Sequence, residues 1–221
     1  HIAETLERLR SSLIMLQYRL LVNRKRADIW KRQVNYYRPI LQDYHAVTKQ
    51  LADKKSEQEQ LQTNRSVLSP LQIVRRRQLA EQIAALTEKI EELRSRQAMI
   101  LRNLDCKNNG EAQRFGSYLD KLEEMQQNLA AQRENLAQQL SATTKQYLEI
   151  ENMIQPEDAD AVHRHRTAMR KAYTAEIYRQ IQTTATVDDI LFSKAEQRAE
   201  QITADTRNDA IFTRKPTEPT R

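Results

Sequence analysis

The sequence predicts an all-α protein: an elongated antiparallel coiled-coil hairpin with a long N-terminal helix before it and short C-terminal helices after it. Three observations predict this. Only 2 glycines and 5 prolines punctuate 221 residues, where average usage gives about 15 and 11, and a sheet needs turns built from such residues. Charged residues make up 30% of the chain and hydrophobic ones 39%, too little apolar material for a broad multilayer core but enough for narrow seams between helices. Long stretches also repeat apolar residues at alternating steps of three and four, the 3.5-residue period of a coiled-coil seam. Together these exclude a sandwich, a barrel and a Rossmann-type nucleotide domain. No run approaches the ~20 apolar residues that a transmembrane span requires.

The first element carries the seam Leu6, Leu9, Leu13, Leu16, Leu20, Asn23, Ala27, Trp30, Val34, Tyr37, Leu41, Tyr44, Thr48 and Leu51. It crosses Pro39, which lacks a backbone donor, so a kink or break is expected there, and the continued phase favours a kink. Residues 63–68 read as a short loop. Ser69-Pro70 reads as a helix start, with Ser as N-cap and Pro at the first helical position. The second element then has Leu79, Ile83, Leu86, Ile90, Leu93, Gln97, Ile100 and Leu104 on its seam. Residues 105–110 connect it to the third, and their Asn and Gly tolerate the left-handed backbone of a helix end. So short a link implies antiparallel neighbours. The third element repeats Phe115, Leu119, Leu122, Gln126, Leu129, Arg133, Leu136, Leu140, Thr143, Tyr147, Ile150 and Ile154. Its Gln126 and Arg133, with Asn23 and Gln97, read as register devices.

Beyond Ile154 the pattern shortens. Pro156-Glu157-Asp158 is an acidic first turn that suits a helix dipole, opening a helix to about Gln182; Thr186 is placed to cap another. The expected organisation is a basic helical region at 1–68, the coiled-coil hairpin at 69–155, short helices at 156–207 and a disordered tail at 208–221.

Net charge is +6, from 36 Lys and Arg against 30 Asp and Glu. Residues 1–40 hold nine cations and three carboxylates, a local +6, so the basic end is the N-terminal one. The strongest candidate site is the set Arg24, Lys25, Arg26, Lys31 and Arg32 together with Arg75, Arg76 and Arg77. Clustered cations neutralise phosphates and release counterions, which gives salt-sensitive contact with nucleic acid regardless of sequence. The two clusters meet if the first helix folds back at residues 63–69. No hydrophobic face beyond the seams accompanies these charges, so a membrane surface is not expected as a partner.

Other chemistry finds little support. His163 and His165 lie two apart and point about 200° away from each other on a helix, which is not ligand spacing. Tyr36-Tyr37 lacks the histidine cluster that a metal-assisted tyrosine nucleophile needs, and Tyr37 falls on the seam as a packing aromatic. Cys106 reads as an exposed turn thiol, with Lys107 beside it to lower its pKa somewhat. A single cysteine fits a reducing, cytoplasmic setting. No catalytic residue, metal or cofactor is therefore expected. The chain opens on His1 with helical periodicity at once and is expected to be a fragment whose N-terminal part is missing.

The run Leu68-Ser69-Pro70-Leu71 into Arg75-Arg76-Arg77-Gln78-Leu79, then Ile90-Glu91-Glu92-Leu93, Ile100-Leu101 and the turn Asp105-Cys106, resembles the helical C-terminal region of MobA/MobL-type plasmid mobilisation relaxases. So does the arm from Leu122-Glu123-Glu124-Met125 through Gln146-Tyr147-Leu148, and the likeness covers residues 68–205. The resemblance implies a parent protein that nicks one strand at a plasmid transfer origin, with a tyrosine or histidine nucleophile and a histidine-held metal in an N-terminal domain. That cluster has no counterpart here, so no catalytic residue carries over. This segment would then be the non-catalytic helical part, touching flanking DNA or relaxosome proteins. The alternative is a coiled-coil scaffold or dimerisation spacer, partnering through its seams, homodimer included, with no nucleic-acid role.

Overall fold

The computed structural model describes residues 1–183 and 188–212, the last three by backbone alone. They form α1 (Ile2–Ser66), α2 (Ile73–Asn103), α3 (Asn109–Asn152), a 3-10 turn (Pro156–Asp158), α4 (Ala159–Gln182) and α5 (Asp189–Phe212), with no strand among the described residues. The protein is all-α. It divides into two compact units, His1–Asp28 with Gln127–Arg221, and Ile29–Gln126. Both boundaries fall inside helices, one within α1 and one within α3.

In the 29–126 unit, α1 is the common partner. Gln58 Nε2 donates to Thr87 Oγ1 at 2.6 Å, and Gln97 Nε2 donates to Thr48 Oγ1 at 2.9 Å. The α1 partner falls as the α2 number rises, so α1 and α2 are antiparallel about the turn at 67–72. The same test on α3 gives Tyr44 Oη donating to Asn109 Oδ1 at 2.9 Å, the Tyr37 and Phe115 rings 5.0 Å apart, and Arg38 paired with Asp120 at 2.9 Å. Here too the numbers run in opposite directions. The hairpin expected between α2 and α3 is therefore replaced by antiparallel pairing of α1 with each. The physical reason is that α1 offers one continuous apolar stripe, Val34, Leu41, Tyr44, Val47 and Leu51, to both partners. Gly116 sits where α3 comes closest: a Cβ there would lie 3.1 Å from Leu41 Cδ2.

Local details also differ from expectation. α1 continues through Pro39; the proline lies on the exposed side while Val34 and Leu41 keep the buried phase. The helix persists to Ser66, and α2 starts at Ile73 rather than at Pro70. Ser69-Pro70 instead makes a reverse turn closed by the Gln72 N–H donating to the Ser69 carbonyl at 3.0 Å, with Pro70 at the second position that its fixed φ favours. At the end of α2 the left-handed residue is Asp105, φ 53°, and neither glycine has positive φ. The Cys106 N–H reaches back to the Leu101 carbonyl at 2.8 Å, a Schellman closure that aspartate tolerates. Asn108 then caps α3 by accepting the Glu111 N–H, while the Glu111 carboxylate accepts the Lys107 N–H.

In the other unit, parts of α1 and α3 share a core with α4 and α5: Leu6, Leu13, Ile14 and Tyr18 meet Tyr147, Ile177, Ile181, Phe192, Ala195 and Ala199. Three neighbours need more than one stripe. Gln17 and Glu7 are accordingly buried along with the seam leucines. The acidic Pro156 turn is a 3-10 turn feeding α4. Asp188 caps α5 through the Ile190 and Leu191 amides; the expected cap at Thr186 lies outside the described residues. α5 extends to Phe212, into the stretch expected to be disordered from 208, because nothing before Pro216 breaks a helix. The remainder, 213–221, lies outside the described residues.

Candidate nucleic-acid interface

All eight proposed contact residues lie on helices, with every one but the half-buried Arg76 exposed. On α1, the Arg24-Lys25-Arg26 run follows the buried Asn23, and all three side chains are exposed. Lys25 pairs with Asp188 at 3.4 Å. The Leu191 amide chiefly, with the Lys25 ammonium and the Ile190 amide helping, holds that aspartate below its usual range. Arg24 lines a shallow cleft of about 620 Å³ together with Arg133 of α3 and Arg198 of α5, and Glu134 and Asp205 line it too. Arg26 lines a second cleft of about 370 Å³ beside Arg19 and Tyr18.

Lys31 and Arg32 project from α1 in the other unit. Arg75, Arg76 and Arg77 form the opening turns of α2, where Arg77 is drawn to Glu81 at 3.2 Å. α1 does fold back, but one turn later than expected, and 34 residues separate Arg32 from Ser66. At ~1.5 Å per residue that is about 50 Å of helix. The two clusters in this unit are therefore not brought together. Arg24, Arg26, Lys31, Arg32, Arg75 and Arg76 have no ion-pair partner among the described residues. By contrast Arg10, Arg38, Arg166 and Arg207 are all paired with carboxylates.

The residues missed from sequence are Arg19, Arg133 and Arg198, which flank the predicted cations through helix packing. Isolated arginines on three different helices give no local signal. His163 and His165 are both exposed on α4, and no group of three or more His, Cys, Asp or Glu is placed to hold a metal among the described residues. Burial, with Glu111 and Asp105 nearby, pushes the Cys106 thiol up rather than down, against the lowering expected from Lys107. No helix among the described residues is long and apolar enough to cross a membrane. No family model, curated protein or solved structure matches the chain.

Proposed function

We propose that this chain is a non-catalytic helical region of a cytoplasmic DNA-mobilisation protein, of the relaxase kind that residues 68–205 resemble, and that it contributes sequence-independent contact with DNA and docking to relaxosome proteins. The observation that carries the reading is the six exposed or half-exposed cations left without carboxylate partners among the described residues, joined in the clefts beside Arg24 and Arg26 by Arg19, Arg133 and Arg198. Unpaired cations release counterions from phosphates without first breaking a salt bridge. Arg133 and Arg198 widen the footprint around Arg24. The scaffold alternative draws on the apolar seams, but those seams are already buried inside each unit, which leaves them little surface for a coiled-coil partner.

The test is fluorescence anisotropy of labelled duplex DNA across a salt series. Contact by several of these cations gives a log–log slope of about −3 or steeper, since each neutralised phosphate contributes about −0.9. Reversing Arg24, Arg26, Lys31 and Arg32 to glutamate flattens the slope. Absence of binding at low salt, or binding that salt does not weaken, overturns the proposal.

A further inference from the structure

The turn between α1 and α2 carries a feature that DNA contact does not use. Leu71 is 90% exposed, Val67 77%, Val74 72% and Ile73 70%. Other exposed apolar side chains, such as Tyr36, Met153 and Ile190, stand singly along the helices, whereas here four large aliphatics gather within eight residues at one tip. From Gln60 to Ala80 the sequence holds Arg65, Arg75, Arg76 and Arg77 and no carboxylate. We propose that this tip docks on an anionic phospholipid bilayer, its aliphatics entering the headgroup boundary and its arginines lying against the lipid phosphates.

Three observations support a bilayer as the occupant. A side chain 90% exposed stands on a protrusion, because groove walls would cover it; a protrusion suits a deformable phase. Charge is complementary, with Arg65, Arg75 and Arg76 beside the apolar tip and without carboxylate partners among the described residues, while Arg77 farther along α2 is paired with Glu81, as in interfacial segments that bind acidic lipid. Part of the tip backbone is satisfied internally: the N–H groups of Val67, Leu68, Leu71 and Gln72 are bonded within the tip, Pro70 has none to satisfy, and the uncapped first turn of α2 points its free N–H groups to where lipid phosphates would lie. Long arginine stems let the guanidinium heads stay at the phosphates while the tip sinks. DNA would use the arginines but gain nothing from Leu71 or Val74. A protein hot spot would favour Trp or Tyr over Leu and Val, and residues 60–80 contain no aromatic.

The proposal stands apart from the DNA reading, and its test separates the two. The full chain is sedimented with vesicles of phosphatidylcholine alone and of phosphatidylcholine with phosphatidylglycerol. Binding is expected to the anionic vesicles only. Leu71→Ser with Val74→Ser should lower it about a hundredfold, and Arg75→Ser with Arg76→Ser about thirtyfold, with helical content unchanged by circular dichroism. The serine pair at 71 and 74 leaves duplex DNA affinity unchanged whether that affinity is high or absent. The proposal is overturned if anionic vesicles do not sediment the chain, or if the 71/74 variant binds them as tightly as the parent. It is equally overturned if the chain sediments without vesicles and that variant stops it, since the tip would then be covering a second copy.

Discussion

Asn23 of α1 and Arg133 of α3 meet where two polar residues interrupt otherwise apolar seams: Arg133 Nε donates to Asn23 Oδ1 at 3.1 Å, while Asn23 Nδ2 donates to the Leu129 carbonyl at 2.9 Å. Asn23 is buried, so both halves of its amide need partners, and only one register of α1 on α3 supplies them. Asn23→Ala should cost about 1–2 kcal/mol of stability, and a double-mutant cycle with Arg133→Ala should return a coupling of about 1 kcal/mol. Urea unfolding measures both. Coupling indistinguishable from zero would mean that the contact sets nothing.

A costlier arrangement lies in the same unit. Glu7 is fully buried, accepting Arg166 Nε at 2.8 Å with Arg170 3.6 Å away, and Arg166 also donates to Tyr147 Oη at 2.7 Å. Burial works against the Arg166 charge, but the bonds from Glu7 and Tyr147 outweigh it and raise its pKa above the ordinary value. The second Glu7 oxygen has no hydrogen-bond partner, so the carboxylate already lacks one bond. Arg166→Ala leaves it only Arg170 at 3.6 Å and should destabilise the protein by about 3 kcal/mol. Replacing both ends, Glu7→Leu with Arg166→Met, should cost less than Arg166→Ala alone, because no fully buried charge remains and Arg170, 42% exposed, reaches water. The reverse order in chemical denaturation would show that the pair contributes net stability.

How far these features could be read in advance differs by level. Seam positions were legible because a 3.5-residue period fixes which side chains turn inward, and Leu93, Ile100, Leu119 and Leu129 are indeed buried. Which seam meets which was not, since a stripe of leucines carries no address. Polar interruptions come nearest to one: Thr48 with Gln97, and Asn23 with Arg133, pair α1 with α2 and with α3, and matching them would have argued against an α2–α3 hairpin. The crowding of residues 13–22, with Ile14, Met15, Tyr18, Leu21 and Val22 off the main stripe, signals that several neighbours surround this part of α1. Glu7 and Arg10 gave no warning, because a charged residue beside a seam looks the same whether water or an opposite charge faces it. The unpaired state of Arg24, Arg26, Lys31 and Arg32, beside a Lys25 that is paired, is likewise a property of tertiary neighbours. The aliphatics of the turn were visible as letters, but only the absence of anything packed on them separates a tip from a seam.

Cys106 offers a readout of the α2–α3 connection. Burial first, then the charges of Glu111 and Asp105, disfavours the thiolate and raises the pKa, and Sγ lies 3.5 Å from the Leu104 carbonyl, which accepts from the protonated thiol. Only the thiolate alkylates, so at any pH below that raised pKa the reactive fraction is smaller than in an unstructured peptide. Iodoacetamide should therefore modify native Cys106 more slowly than the urea-unfolded chain, and the pH–rate profile of the native protein should be displaced to higher pH. Glu111→Gln removes one of the opposing charges and also weakens the Asn108 cap, whose reciprocal bond to the Lys107 amide it supplies. Both changes favour the thiolate, one electrostatically and one by loosening the turn, so the profile of that variant should move back toward lower pH. A native profile coincident with that of the unfolded chain would mean that the turn leaves the thiol as open as a free cysteine.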